Sequence, residues 1–177
     1  MDATAQASVG ILKGVGPQLA DKLAGLGISC VADLLFHLPI RYQDRTTMAA
    51  IGELRPGVEV LISGRIEASG VQFGRRRSLM TVISDDTGRL TVRQFHFNAS
   101  QRRGLKRGAF IQCYGEVRSG PTGLEMVHPE YRLIEGPDAV EVETTLTPVY
   151  PTTEGIGQRR WRDLTGQALA RCGEAVP

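Results

Sequence analysis

The strongest constraint on this chain is a series of short β-type segments, cut by turns, between residues 54 and 134. In VEVLISGRIEASG (58–70), Val58, Val60, Ile62 and Ile66 share one parity, with Glu59, Ser63 and Arg65 on the other. This is the two-residue period of a half-buried strand. SLMTVISDD (78–86) and RLTVRQFHF (89–97) come next, joined by a tight turn at Asp86, Thr87 and Gly88. NASQRRGLKRG then has room for one helical turn, before AFIQCYGEVRSG (109–120) and GLEMVHPEYRLI (123–134), which meet at Pro121, Thr122 and Gly123. Gly64 and Gly115 fall inside strands, as strongly bent strands require. Strands this short, at this spacing, predict a small all-β barrel.

Five strands with a helical link between the third and fourth is the strand count and order of an OB-fold. Such barrels bind oligonucleotides on the face of strands two and three and with the first-to-second and fourth-to-fifth loops. Those loops are here GVQFGRRRS (70–78) and SGPTG (119–123). The expected class is α+β, mainly β, in three parts. Residues 1–53 form a helical module resembling helix-hairpin-helix, residues 54–134 the barrel, and residues 135–177 a connector with a helix. In the first part Leu19, Leu23 and Leu26 have helical spacing, Pro17 suits a first turn, and Val31, Leu34, Leu35 and Leu38 give a second helix closed by Pro39. The GVGPQLADKLAGLGI turn either offers amides to a phosphate or caps a helix packed on its neighbour. The last part turns helical after Gly157, with Trp161, Leu164 and Leu169 as its apolar positions.

Apolar residues make up 41% of the 177, enough for a core and too many for a disordered chain. No apolar run approaches the roughly eighteen residues of a spanning helix. No secretory leader is apparent, and three scattered cysteines (Cys30, Cys113, Cys172) do not make a disulfide framework, so a cytoplasmic, monomeric protein without a membrane partner is expected. Net charge is only +2, but residues 71–107 carry nine basic against two acidic side chains, while residues 108–154 carry two against eight. A basic block of that density is either a solvated surface or a field that attracts polyanions.

Catalysis has little support. His37, His96 and His128 sit in separate segments, no CxxC or HxxxH spacing offers a metal site, and there is no GxxxxGK[ST] loop. Cys113 alternates with core positions and reads as a buried thiol, and Asp85–Asp86 as turn residues. Binding is better served. On the third strand Arg89, Thr91, Arg93, Phe95 and Phe97 share a parity opposite Leu90 and Val92. If the aliphatics point inward, cations that neutralise phosphate and rings that stack on bases point outward. A bulge after Arg93 would instead turn both rings into the core. Phe110 and Tyr114, sharing a face with Gln112 and Arg118, would extend the platform. Phe73, Arg75, Arg76 and Arg77 would form a basic finger, and Arg102, Arg103, Lys106 and Arg107 complete the candidate DNA-binding set.

These residues carry a family resemblance over roughly residues 8–172. LKGVGPQLADKLAGLGI, DLLFHLPIRYQDR, TVRQFHFN, MVHPEYRL and, most specifically, PVYPTTEGIGQRRWRDL resemble the N-terminal wedge region of the RecG-type ATP-dependent DNA helicases. The resemblance implies an OB-fold wedge inserted at the branch point of a stalled fork or Holliday junction, in repair and recombination. It implies motor domains, absent here, that use ATP and Mg to pull the duplexes past the wedge, so the chain's own helicase domains are an expected partner. Phe95 matches the aromatic that stacks on the exposed base pair. Where relatives carry a second aromatic this chain has Gln94 and Ala99, with Phe97 as the candidate substitute. The alternatives are a sequence-tolerant single-stranded DNA or RNA binder and a protein-interaction scaffold.

Overall fold

The computed structural model describes residues 5–151, 153 and 155–172. In chain order the elements are α1 (Pro17–Gly25), α2 (Val31–Phe36), β1 (Arg41–Gln43), β2 (Glu59–Gln72), β3 (Ser78–Ser84), β4 (Arg89–Gln94), α3 (Ala99–Gly104), β5 (Phe110–Gly120), β6 (Gly123–Val127), β7 (Glu130–Ile134), β8 (Thr147–Val149) and α4 (Gln158–Cys172). They divide into two compact units, Met1–Tyr42 with Pro148–Pro177, and Gln43–Thr147. The short strands β1 and β8 pair where the chain leaves the first unit and re-enters it.

The first unit is helical and joins the two ends of the sequence around one core. Val9, Leu12, Leu23, Ile28, Val31 and Leu34 pack with Trp161, Leu164, Ala168 and Cys172 of α4. Leu169, expected among the core positions of α4, is instead exposed, because the inward stripe continues from Leu164 through Ala168 to Cys172 at helical spacing. Leu38 is likewise exposed, since α2 ends two residues earlier. The glycine turn before α1 packs on α4: Lys13 donates its N–H to Gln167 Oε1 at 2.8 Å and accepts from Gln167 Nε2 at 3.1 Å.

The second unit is a sheet closed in a ring. β2 pairs with β5 over Glu59–Arg65 and with β3 over Arg65–Gln72, so one long strand serves two partners. It bends between them, with an irregularity between Ile66 and Ala68. Gly64 makes the bend possible, since a Cβ there would lie 2.7 Å from the Ser84 carbonyl oxygen. β3 pairs with β4, β4 runs parallel to β6, and β6 returns to β5, which closes the ring. This is the connectivity of an OB-fold, with α3 linking its third and fourth strands. Ile62, Ile66, Leu79, Ile83, Leu90, Val92, Ile111, Val117 and Met126 fill the interior.

Two strand boundaries differ from expectation. The fifth strand breaks at His128, whose φ of 50° no strand tolerates, into β6 and β7, both lying along β5. The third stops at Gln94, because its partner β3 begins at Ser78 and their ladder ends at Leu79 with Gln94.

Candidate nucleic-acid interface

The sheet register decides which sequence-predicted residues meet. β4 ends beside the start of β3, so Phe95–Phe97 emerge next to the 73–77 loop that connects β2 to β3. Parallel pairing brings the end of β6 to the same place, with Arg93 opposite Val127. The Phe95 N–H leaves the ladder and donates to His128 Nε2 at 3.1 Å, and His128 donates its own N–H to the Arg93 carbonyl at 2.9 Å.

Two cation–ring pairs result. The Arg76 guanidinium lies 4.8 Å from the Phe95 ring centroid, and that of Arg77 lies 4.8 Å from Phe97. Arg76 Nη2 also reaches His96 Nε2 at 3.5 Å. The His96 and His128 rings stack at 5.7 Å, and Phe95 tilts against His128 at 5.8 Å. Burial, followed by the charges of His96 and Arg76, lowers the His128 pKa, which favours the neutral ring that can accept at Nε2. Both phenylalanines are half-buried: Phe97 leans on the core of the ring, while Phe95 sits among His128 and Arg76. The phenylalanines are thus neither sealed inside nor held on a flat strand face. Phe73 and Arg75–Arg77 are exposed, Phe73 at 81%.

Arg93 belongs to the same strand end but is engaged, donating to Glu125 at 3.0 Å and Ser78 at 3.4 Å, with its side chain only 16% accessible. Thr91, expected to face solvent, is buried between its partners on β3 and β6. Phe110, Gln112 and Tyr114 do not extend the platform, because the segments after β7 and before β2 cover that stretch of β5. Gln112 and Tyr114 are buried and Phe110 half-buried. Gln112 bonds to the Glu141 backbone and to Arg132, and Arg45 lies 4.1 Å over the Tyr114 ring.

Of the remaining basic candidates, Arg107 lies at the other end of the sheet. Arg102, Arg103, Lys106 and Arg107 are exposed in and after α3. Arg107, with Arg65 and Arg89, acts on Glu67, which Ser84 bonds at 2.7 Å. Ser84 is six residues along β3 from Ser78, roughly 20 Å at about 3.3 Å per residue. The 119–123 turn also lies at that far end, since β6 starts beside the start of β4. His96 and His128 join the cluster unforeseen. Both fall in stretches that carried the family resemblance, but only the parallel β4–β6 pairing, invisible to local pattern, places them together.

Two sequence expectations hold at atomic detail. Asp85 is a turn organiser: its carboxylate accepts from the N–H groups of Ile51, Thr87 and Gly88 and from Thr87 Oγ1. Cys113 is sealed in the core, where burial raises its pKa to about 12, so no thiolate is available. Among the described residues no His, Cys, Asp and Glu cluster could hold a metal ion, and no helix is long and apolar enough to cross a membrane.

A family profile described as the RecG wedge domain matches residues 8–171. The ATP-dependent DNA helicase RecG of Escherichia coli O127:H6 is 48% identical over 89% of this chain, and the corresponding protein of Haemophilus influenzae 45% identical over 90%. In both comparisons the chain spans 23% of the relative's length. A solved structure of RecG bound to a three-way DNA junction superposes over 94% of this chain with a TM-score of 0.76 at 27% identity.

Proposed function

The chain belongs to the RecG wedge-domain family, and from that premise we propose that it binds branched DNA and acts as the strand-separating wedge of a longer ATP-dependent helicase. The observation that carries this reading is the pair of guanidinium-covered rings, Arg76 on Phe95 and Arg77 on Phe97, at one end of the closed sheet.

A guanidinium over a ring is a weak, replaceable contact, about 0.5–1 kcal/mol where exposed. A base stacked on an aromatic ring gains about 1–3 kcal/mol. A base unstacked at a branch point therefore displaces Arg76 from Phe95, and the freed guanidinium turns to the adjacent phosphate, where bidentate pairing favours it. The arginines hold the rings in place before DNA arrives and neutralise the backbone afterwards. Phe95 is anchored for this role from below, through its N–H to His128.

The wedge does no bond chemistry. Unpairing costs a few kcal/mol per step, which one or two stacking rings offset only in part. Continued separation needs ATP hydrolysis, an activity the relatives carry by name. In the relatives that activity belongs to the whole protein, of which this chain spans 23%, so we assign ATP and Mg to motor domains outside these residues.

A competition assay tests the proposal. Labelled fork DNA bound to the chain is challenged with unlabelled fork, duplex and single strand. The expected order of displacement is fork, then single strand or duplex. Preferential displacement by single strand would favour a sequence-tolerant single-strand binder, and no binding at low salt would favour a protein-interaction module.

A further inference from the structure

The end of the sheet that holds Phe95 is short of negative charge. Among the described residues Arg75, Arg76 and Arg77 form no ion pair, and Glu125 of β6 is taken by Arg93 at 3.0 Å. Into this setting the fold brings two histidines. His96 is exposed, and its ring stacks on that of His128 at 5.7 Å. Arg76 Nη2 comes within 3.5 Å of His96 Nε2. Arg76, from the β2–β3 loop, and His128, from the break between β6 and β7, are the charged and titratable groups set against His96.

The partners of each ring fix where its lone pair sits. A backbone N–H only donates, so His128 Nε2, which takes the Phe95 N–H at 3.1 Å, carries no proton. A guanidinium also only donates, so His96 Nε2 meets Arg76 as an acceptor, at the outer limit of a hydrogen bond. A second proton on His128 would break its bond to Phe95. A second proton on His96 costs only the long contact to Arg76. Two charged rings stacked on each other repel, so the pair takes one proton and not two.

We propose that Arg76 and His96 form a seat for one phosphate of the DNA backbone, and that His96 takes up a proton when the seat is filled. An oxygen placed between the two groups accepts from both. Arg76 donates to it, and protonated His96 donates from the Nε2 that had accepted before. One proton moves from solvent to His96 Nε2, and no other covalent bond changes. The occupant is an anion and not a base edge, because the filled seat offers donors alone. Burial and the charges of His96 and Arg76 favour neutral His128, which leaves Phe95 anchored while His96 charges. The seat rests on the proposal that DNA meets this end of the sheet, and adds to it a proton-linked contact. A phosphodiester keeps its charge throughout the neutral range, so pH dependence there comes from the protein.

Isothermal titration calorimetry of the 177-residue chain with fork DNA, in two buffers of unlike ionisation enthalpy, counts the protons taken up. At pH 7 the expected uptake is about half a proton per chain, since histidine titrates near neutrality. Fork affinity should rise by about three- to ten-fold from pH 8 to pH 6.5 at fixed salt, as a one-unit rise in the His96 pKa on binding would give. His96→Gln should lose both the uptake and the rise. His96→Lys, which carries its charge at every pH tested, should bind fork at pH 8 more tightly than wild type, with no uptake. Position 96 is exposed, so both variants should fold, and thermal melting checks it. Fork binding by wild type without proton uptake would overturn this inference alone, and so would uptake that persists in His96→Gln. Absence of DNA binding at every pH would overturn the branched-DNA proposal together with it.

Discussion

The two ends of strands β3 and β4 share a ladder and differ in almost everything else. At the far end, around the β3–β4 turn, one carboxylate, Asp85, accepts four hydrogen bonds, and Gly52 and Gly88 let backbones approach closely. At the near end the ladder stops early, a backbone N–H is handed to a histidine, and rings are covered by arginines from an exposed loop. One end is fixed by short, saturated contacts and gives the ring its stability. The other is built from contacts that a ligand can replace at little cost. The contrast supports the proposal that DNA meets the near end.

Substitutions at the far end should lower stability and leave DNA selectivity alone. Gly64→Ala should have the largest effect, about 3 kcal/mol, because the new methyl meets the Ser84 backbone with no room to shift; thermal unfolding reads it. Asp85→Ala should cost about 2 kcal/mol through lost charge-assisted bonds. Burial raises the Asp85 pKa, but bonds from Ile51, Thr87 and Gly88 outweigh it, leaving the pKa below the usual 3.8. Its stabilising contribution is therefore complete above about pH 4 and is lost as pH falls through the lower folded value. The wild-type advantage over Asp85→Ala should shrink in that window, and an advantage that stays constant to pH 2 would break the assignment.

Near-end substitutions should do the reverse. Replacing Arg75, Arg76 and Arg77 with Gln should leave the melting temperature within a few degrees while reducing the slope of log affinity against log salt by about 2–3. The smallest effect belongs to His128. Its folded pKa lies below the usual 6.5 through burial and the charges of His96 and Arg76, so neutral His128 contributes stability that is complete above about pH 6.5 and falls as pH drops below it. His37, also lowered by burial, adds a slope of the same sign from the other unit. The difference between wild type and His128→Gln, followed from pH 7.5 to 5 by thermal melting, isolates the part owed to His128.

Much of the ring was legible because alternation, turns and mid-strand glycines are local signals. Leu90 and Val92 face inward as their parity requires, and Gly64 sits at the bend. The site was harder to read, because it depends on where strands stop and which strands neighbour each other. Parity carried Phe95 and Phe97 outward on a strand that in fact ends at Gln94. Parity also exposed Tyr114, which Arg45, nearly seventy residues away in sequence, covers. The basic block of residues 71–107 looked like one patch in one dimension, but folding puts Arg76 and Arg77 at the Phe95 end of the sheet and Arg89 and Arg107 near Glu67. Core joining the N-terminal helices to α4 spans more than a hundred residues of sequence and left no local trace.

The most direct test of the central claim is the ratio of fork to duplex affinity for wild type and Phe95→Ala at one fixed salt concentration. If the ring takes up a base freed at the branch point, the substitution should weaken fork binding by roughly ten-fold, near the middle of the 1–3 kcal/mol stacking range, and leave duplex binding nearly unchanged. A wild type that binds fork and duplex equally well, with a ratio that does not move when the ring is removed, would contradict it.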